Sequence, residues 1–276
     1  VDMSWTSLPK ENTGNPIGIG SNLTFSGSGE LDNGWTVALS VADANLAAYS
    51  NTNVTVTIPG VGDIRIDQGV SATGIDRMDD LTPSVWEEAY GFGVGTGMDT
   101  VAGVSGGTNI EYTPDMLPGG LTARFSWSPD SGGSNAGDKA TAQSSASVKG
   151  SGYSATLEAS GDATPDGLTV YGGVANVDVA QNGATYNDDV SEVTAGVKYA
   201  VGSFTLGYQY SKEENGRATT KTKYTNDGFG VTFSINDDLF QKSFQWCGEL
   251  QKIKTSHISY SSSLPENEYY SLWSNF

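Results

Sequence analysis

The stretch Trp35-Thr36-Val37-Ala38-Leu39-Ser40-Val41 decides how the chain is read. Its large apolar residues fall on odd positions with small or polar ones between them, and successive side chains of an extended strand point to opposite sides. One face of this strand is apolar and the other is wet. The same period of two runs upstream through Leu23-Thr24-Phe25 and downstream through Val54 to Ile58, Asp63 to Asp67 and Leu121 to Trp127. It returns in Leu168 to Tyr171, Val193 to Tyr199, Phe204 to Tyr210 and Phe229 to Ile235.

Composition points the same way. The 276 residues include 36 glycines and 13 tyrosines, and only 17% are charged, a mixture that favours strands and turns over helices. A membrane-crossing helix needs roughly 18 consecutive apolar residues, and the apolar runs here are broken every few positions, which excludes helical spans. A net charge of −18 with no cluster of Lys and Arg excludes nucleic acid as a partner. The single cysteine, Cys247, cannot close an internal disulfide and forms no metal spacing with the single histidine, His257. No metal and no cofactor are expected. The chain opens at Val1 without a Met or a basic and then apolar leader, so a signal peptide is expected to have been removed or left out.

Connections between the strands alternate in length. Tight ones lie at Asp32-Asn33-Gly34, Pro59 to Gly62, Pro118-Gly119-Gly120, Pro165-Asp166-Gly167, Ala200-Val201-Gly202 and Asn236-Asp237-Asp238. Longer, more polar ones run from about Ala42 to Thr52, Gly69 to Thr108, Pro129 to Gly150, Val179 to Asp189 and Lys212 to Thr222. Short turns at one end and long loops at the other are the mark of a transmembrane barrel. The expected fold is all-β, an antiparallel up-and-down transmembrane β-barrel with about twelve strands present, fewer than the roughly sixteen to eighteen of water-filled barrels, and so incompletely closed.

Two regions are expected, a barrel domain over residues 1–239 and an anomalous tail over 240–276. All but one of the glycines lie at or before Gly230. Three of the 14 basic and three of the 32 acidic residues fall in the tail, which leaves 11 and 29, and with them the whole −18, to residues 1–239. The tail is expected to be a non-native ending, of the kind a frameshift or a truncated gene would give.

Taken together, Leu23 to Val41 around Asp32-Asn33-Gly34-Trp35, the strand Gly62-Asp63-Ile64-Arg65-Ile66-Asp67-Gln68-Gly69, and the following Asp79-Asp80-Leu81-Thr82-Pro83-Ser84-Val85-Trp86-Glu87-Glu88 resemble the Gram-negative general porin family. The likeness is to the trimeric porins of α-proteobacteria and their marine relatives and covers Gly18 to Leu239. It implies a homotrimer among outer-membrane lipids that passes small hydrophilic solutes and ions down their gradients. It also implies that the segment after the Gly69 strand, about 69–108, folds inward and narrows the pore.

That segment carries Asp76, Arg77, Asp79, Asp80, Glu87 and Glu88. A ring of fixed negative charge in a narrow passage attracts cations and repels anions, so a cation preference is expected. Trp86, Tyr90 and Phe92 would anchor the segment. The same carboxylates would also suit a solvated acidic loop on the outer surface. If the apolar residues near Ile64 and Leu121 face lipid, then Asp63, Arg65, Asp67 and Arg124 line the lumen opposite the acidic segment and set up a transverse field. Arg65 and Arg124 could equally serve only to neutralise neighbouring carboxylates. Trp35, Trp127, Tyr208 and Tyr210 lie near strand ends, where aromatic girdles meet the membrane interfaces.

Enzymatic readings fail on spacing, because Asp79-Asp80 and Glu87-Glu88 are neighbours rather than opposed groups with separated pKa values. The competing reading is an extracellular acidic β-rich surface, adhesion or calcium-binding protein. It suits the composition, but the chain lacks the Gly-Gly-x-Gly-x-Asp repeat that calcium-binding solenoids require.

Overall fold

The computed structural model describes residues 2–3, 17–18, 22–44, 47–68, 73–78, 81, 101, 103–104, 107–131, 149–179, 188–214, 216, 223–233, 248–255 and 267–274. Two residues each make β1 (Asp2–Met3) and β2 (Ile17–Gly18), which pair with each other. The main sheet then runs in chain order through β3 (Asn22–Glu30), β4 (Thr36–Ala44), β5 (Ala47–Ile58), β6 (Gly62–Asp67), β7 (Asn109–Pro114) and β8 (Leu121–Ser128). It continues through β9 (Lys149–Ala159), β10 (Leu168–Val179), β11 (Val190–Val201), β12 (Phe204–Glu214) and β13 (Lys223–Phe233). All eleven strands form one sheet in which each pairs antiparallel with its neighbours in sequence. Among the described residues the sheet is open, with β3 and β13 at its edges.

Register makes the two faces visible. One row across the sheet reads Val37, Val56, Ile64, Tyr112, Phe125, Ala155, Val174 and Val193, each directly opposite the next. One residue along each strand, the row on the other face reads Ser28, Ala38, Thr55, Arg65, Glu111, Ser126, Ser154, Ala175, Glu192 and Glu213. A slip of one residue in any pair would send that strand's apolar set to the polar face.

The apolar face is the one left uncovered. Phe25 is 66% exposed, Phe125 53% and Leu206 44%, while Ser126, Ser154, Thr194 and Gln209 on the other face are buried. A water-soluble protein inverts this order. Each such Leu or Phe would forgo about 1.5–3 kcal/mol of burial in water, and a bilayer's hydrocarbon restores it. No helix among the described residues is long and apolar enough to cross a membrane.

Turn residues at Asp32-Asn33-Gly34, Pro59-Gly60, Pro118-Gly119-Gly120, Pro165-Asp166-Gly167 and Val201-Gly202 join the strands at one end. At the first, the Trp35 amide donates to Asn33 Oδ1 at 3.1 Å and the Leu31 amide to the Trp35 carbonyl at 2.7 Å. The turn at Asn236-Asp237-Asp238 lies outside the described residues.

Two expectations change. The connection expected over Ala42 to Thr52 is mostly strand, because β4 runs to Ala44 and β5 begins at Ala47 with a register shift between Ala42 and Ala44. Asn and Ser in that stretch weaken the apolar alternation without ending the pairing. Two strands lie outside the alternating stretches, β7 in Asn109–Pro114, which is only six residues long, and β9 in Lys149–Ala159, where glycines and serines dilute the pattern. The main sheet has eleven described strands, in keeping with the expectation of about twelve. Beyond it, β14 (Gly248–Thr255) pairs with β15 (Asn267–Ser274) as a separate two-stranded sheet inside the stretch set apart as the tail.

Neighbouring positions on β4 separate the faces. Leu39→Arg places a charge on the apolar face and is expected to lower folded stability in lipid vesicles by about 2–4 kcal/mol, as for a basic residue near the bilayer midplane. Ser40→Arg is expected to cost about 1 kcal/mol or less, since lumen positions tolerate charge. Urea titrations of the vesicle-inserted protein read both; equal costs would contradict the assignment of faces.

Candidate functional site

Within residues 69–108 the described pieces are a short 3-10 turn over Gly74–Met78 and the residues around Val101, Gly103 and Val104. Both pieces lie against the polar face, and they dock on one register row of the wall. That row is Glu111, Ser126, Ser154, Ala175 and Glu192, from five successive strands. The Gly74 amide donates to Glu111 Oε2 at 2.7 Å, and the Ile75 amide to Ser154 Oγ at 2.8 Å. On the returning side the Gly103 amide donates to Glu192 Oε2 at 2.7 Å. Ile75, Val101 and Ala175 close over these bonds as a small apolar cluster, so water does not compete for the acceptors.

Arg77 completes the outgoing attachment. Its Nη2 lies 2.5 Å from Glu111 Oε1 and its Nε 3.2 Å from the same oxygen, while Ser126 Oγ donates to Glu111 Oε2 at 3.0 Å. At the far end of the turn the Met78 carbonyl accepts from Gln209 Nε2 at 2.7 Å, and Gln209 Oε1 accepts from the Tyr171 hydroxyl at 2.8 Å. Tyr171 reaches Gln209 by lying across Gly196, which stands directly opposite both residues in register. A Cβ at Gly196 would sit 2.3 Å from the Tyr171 ring, so a residue without a side chain is required there.

Val104 fills a second cluster with Val177, Val179 and Val190. These three wall residues belong to the polar face, yet they are apolar because the infolded segment covers them. The sequence signals it: apolar residues of β10 keep even positions through Val174 and switch to odd ones at Val177 and Val179.

Asp63, Arg65 and Asp67 share the polar face of β6, and Arg124 shares that of β8. Arg65 Nη2 lies 2.7 Å from Asp67 Oδ2, and the Thr57 hydroxyl donates to Asp63 Oδ1 at 2.6 Å. Whether these four wall residues stand opposite the acidic segment turns on Asp79, Asp80, Glu87 and Glu88, which lie outside the described residues. Arg77 pairs with Glu111 on β7, and Arg124 lies on the same polar face on the adjoining strand β8. Asp76 is half-buried on the same turn. Asp79, Asp80, Glu87 and Glu88, with Trp86, Tyr90 and Phe92, lie outside the described residues.

Trp35, Trp127, Tyr208 and Tyr210 stand on the apolar face. Trp35 follows a tight turn and Trp127 precedes a long connection, whereas Tyr208 lies mid-strand, 4.8 Å from the Phe229 ring centroid, with its hydroxyl donating to Asp227 Oδ1 at 2.6 Å. Among the described residues no group of three or more His, Cys, Asp or Glu side chains is arranged to hold a metal.

Glu111, Glu192, Ser154 and Gln209 are not among the expected site residues. Glu111 escapes because β7 carries too short an alternation to stand out. Glu192 is legible, since an acid one position before Val193 in an alternating strand must point to the wet side.

The sequence profile of Gram-negative porins matches residues 8–246. No curated protein matches the chain. Among solved structures it is similar to the anion-selective porin from Comamonas acidovorans, at 17% identity and a TM-score of 0.49 over 86% of this chain and 68% of that one. A triple mutant of the Rhodopseudomonas blastica porin is 15% identical with a TM-score of 0.36 over 86% of this chain and 84% of that one. A double mutant of the same porin is 15% identical with a TM-score of 0.39 over 90% and 89%.

Arg77 is partly exposed, so its bond to Glu111 is discounted for screening to about 1–2 kcal/mol. Arg77→Ala is expected to speed protease cleavage within 69–108 of the folded, detergent-solubilised protein by roughly tenfold, and Arg77→Lys by less, because a single ammonium loses the fork. Unchanged cleavage in Arg77→Ala would contradict the attachment.

Proposed function

The chain belongs to the Gram-negative porin family, and from that premise we propose that it is a homotrimeric, cation-preferring diffusion channel narrowed by the segment between β6 and β7. Porins of this family are passive outer-membrane channels, so the chain is an outer-membrane protein and not an enzyme. The observation that carries the proposal is the pair of adjacent rows, apolar on one face and polar on the other, that cross the sheet in register. Small hydrophilic solutes and ions pass along the polar side.

Cation preference is supported by the −18 charge and by the wall itself, where Asp63, Asp67, Glu111, Glu158, Glu192 and Glu213 outweigh Arg65, Arg124 and Lys198. Asp76, Asp79, Asp80, Glu87 and Glu88 add to it on the inward segment, against Arg77. Trimerisation is supported by β6 and β7, of six residues each. A strand that crosses a bilayer needs about 9–11 residues, so a second copy of the chain covers the low wall. Trp35, Trp127, Tyr208 and Tyr210 serve as interfacial anchors. Residues 1–239 act as the barrel domain, in keeping with a profile match that ends at residue 246, and 240–276 as the tail, whose β14 pairs with β15 and packs beside β13.

Planar-bilayer recording of the folded protein in a KCl gradient tests the reading. Conductance steps grouped in threes and a reversal potential of the sign for K+ are expected. A Cl− reversal potential would refute the cation preference, and the absence of any conductance would refute the channel.

A further inference from the structure

The two wall carboxylates touched by the infolded segment do more than line the channel. We propose that Glu192, together with Glu111, is a positioning residue that fixes the bore and steadiness of the passage. The inference rests on the channel reading above. Glu111 is 2% exposed and Glu192 4%. Each accepts from a glycine amide of the segment at 2.7 Å, Glu111 from Gly74 on the outgoing stem and Glu192 from Gly103 on the returning stem.

The two stems also touch each other. Gly103 packs so closely on Ile75 that a Cβ at Gly103 would lie 2.7 Å from Ile75 Cγ2, and 3.1 Å from Ala175 Cβ on the wall behind. Both stems therefore rest on one row of the sheet, and the hydrogen bonds to Glu111 and Glu192 help set their distance from the wall. Backbone amides in a wet lumen gain little from an exposed acceptor, since water replaces it. A buried carboxylate is different, because an ionised acceptor makes a bond about twice as strong as a neutral one and no water reaches it here.

The outgoing stem is held at several points, by Gly74, Ile75, Arg77 and the Met78 carbonyl. The returning stem engages the wall's polar groups through Gly103 on Glu192, with Val104 seated beside it, and near its end through the Thr108 carbonyl, which accepts from Ser128 Oγ at 2.9 Å. Losing that acceptor lets the returning stem lift from the wall into the lumen. Mean conductance then falls and the open-channel current fluctuates. A carboxylate that acts only as a fixed charge on passing ions would behave otherwise, since its removal shifts the reversal potential and leaves the current quiet.

Substitutions at one position separate the two roles. Glu192→Gln and Glu192→Ala remove the same charge, but the glutamine keeps an oxygen that accepts from the Gly103 amide. Single-channel recording is expected to show several-fold higher open-channel noise and lower mean conductance in Glu192→Ala. Glu192→Gln is expected to restore the quiet trace while sharing the alanine variant's reversal potential. Gly103→Ala repeats the test from the segment side and leaves the wall intact, so it decides the matter if Glu192→Ala does not fold. Its residue has φ +53°, which an alanine adopts only with strain, and its Cβ collides with Ile75; noise like that of Glu192→Ala is expected. A quiet Gly103→Ala, a quiet Glu192→Ala, or a Glu192→Gln as noisy as Glu192→Ala would overturn the proposal. A wild-type protein without conductance would instead remove the channel reading on which it stands.

Discussion

Backbone amides and carbonyls inside hydrocarbon have no water to bond, and a β-strand satisfies them only by pairing on both sides. Everything else in this molecule follows from that constraint. Strands joined in sequence order keep every pair antiparallel, and the pairing fixes a register in which alternate rows meet opposite solvents. The row through Phe125, Ala155, Val174 and Val193 has hydrocarbon as its partner, so it needs no protein core. The row through Arg65, Glu111, Ser126 and Ser154 is freed to carry charge and hydroxyls.

Burial then occurs where a soluble protein would not have it. The covered residues lie under the segment between β6 and β7, and many are polar, with Glu111, Glu192, Thr194 and Gln209 among them. Each answers a group on the segment or on the neighbouring wall, so the desolvation of a carboxylate is offset by amides and a guanidinium rather than left open. The valines at 177, 179 and 190 show the same logic in apolar form. Wall chemistry changes from wet to dry wherever the segment lies on it, and this is why a simple two-period pattern fails along the second half of β10.

Much of the fold is legible in the residues because alternation is strongest where the apolar side chain is large, as at Val37, Leu39, Phe125 and Leu206. It fades where glycine and serine occupy the strand, in β9, and where the strand is only six residues long, in β7. The site is less legible. The inward segment is recognisable from its length and acids, but its attachment depends on contacts between residues far apart in sequence, such as Gly103 with Glu192 and Met78 with Gln209. No local pattern encodes those. Arg77 stands out in the sequence for its charge near a passage, whereas in the fold its charge is engaged by Glu111 of the wall.

The central claim is that one face of the sheet meets lipid and the other meets water. Nitroxide labels attached at single cysteines, in a background where Cys247 is replaced by serine, test it most directly through their accessibility to oxygen, which concentrates in hydrocarbon, and to a water-soluble nickel chelate. Labels at Leu157, Val174 and Leu206 should favour oxygen, and labels at Ser40, Thr55 and Thr205 should favour the chelate. Chelate-accessible labels at Leu157, Val174 and Leu206 would contradict the account.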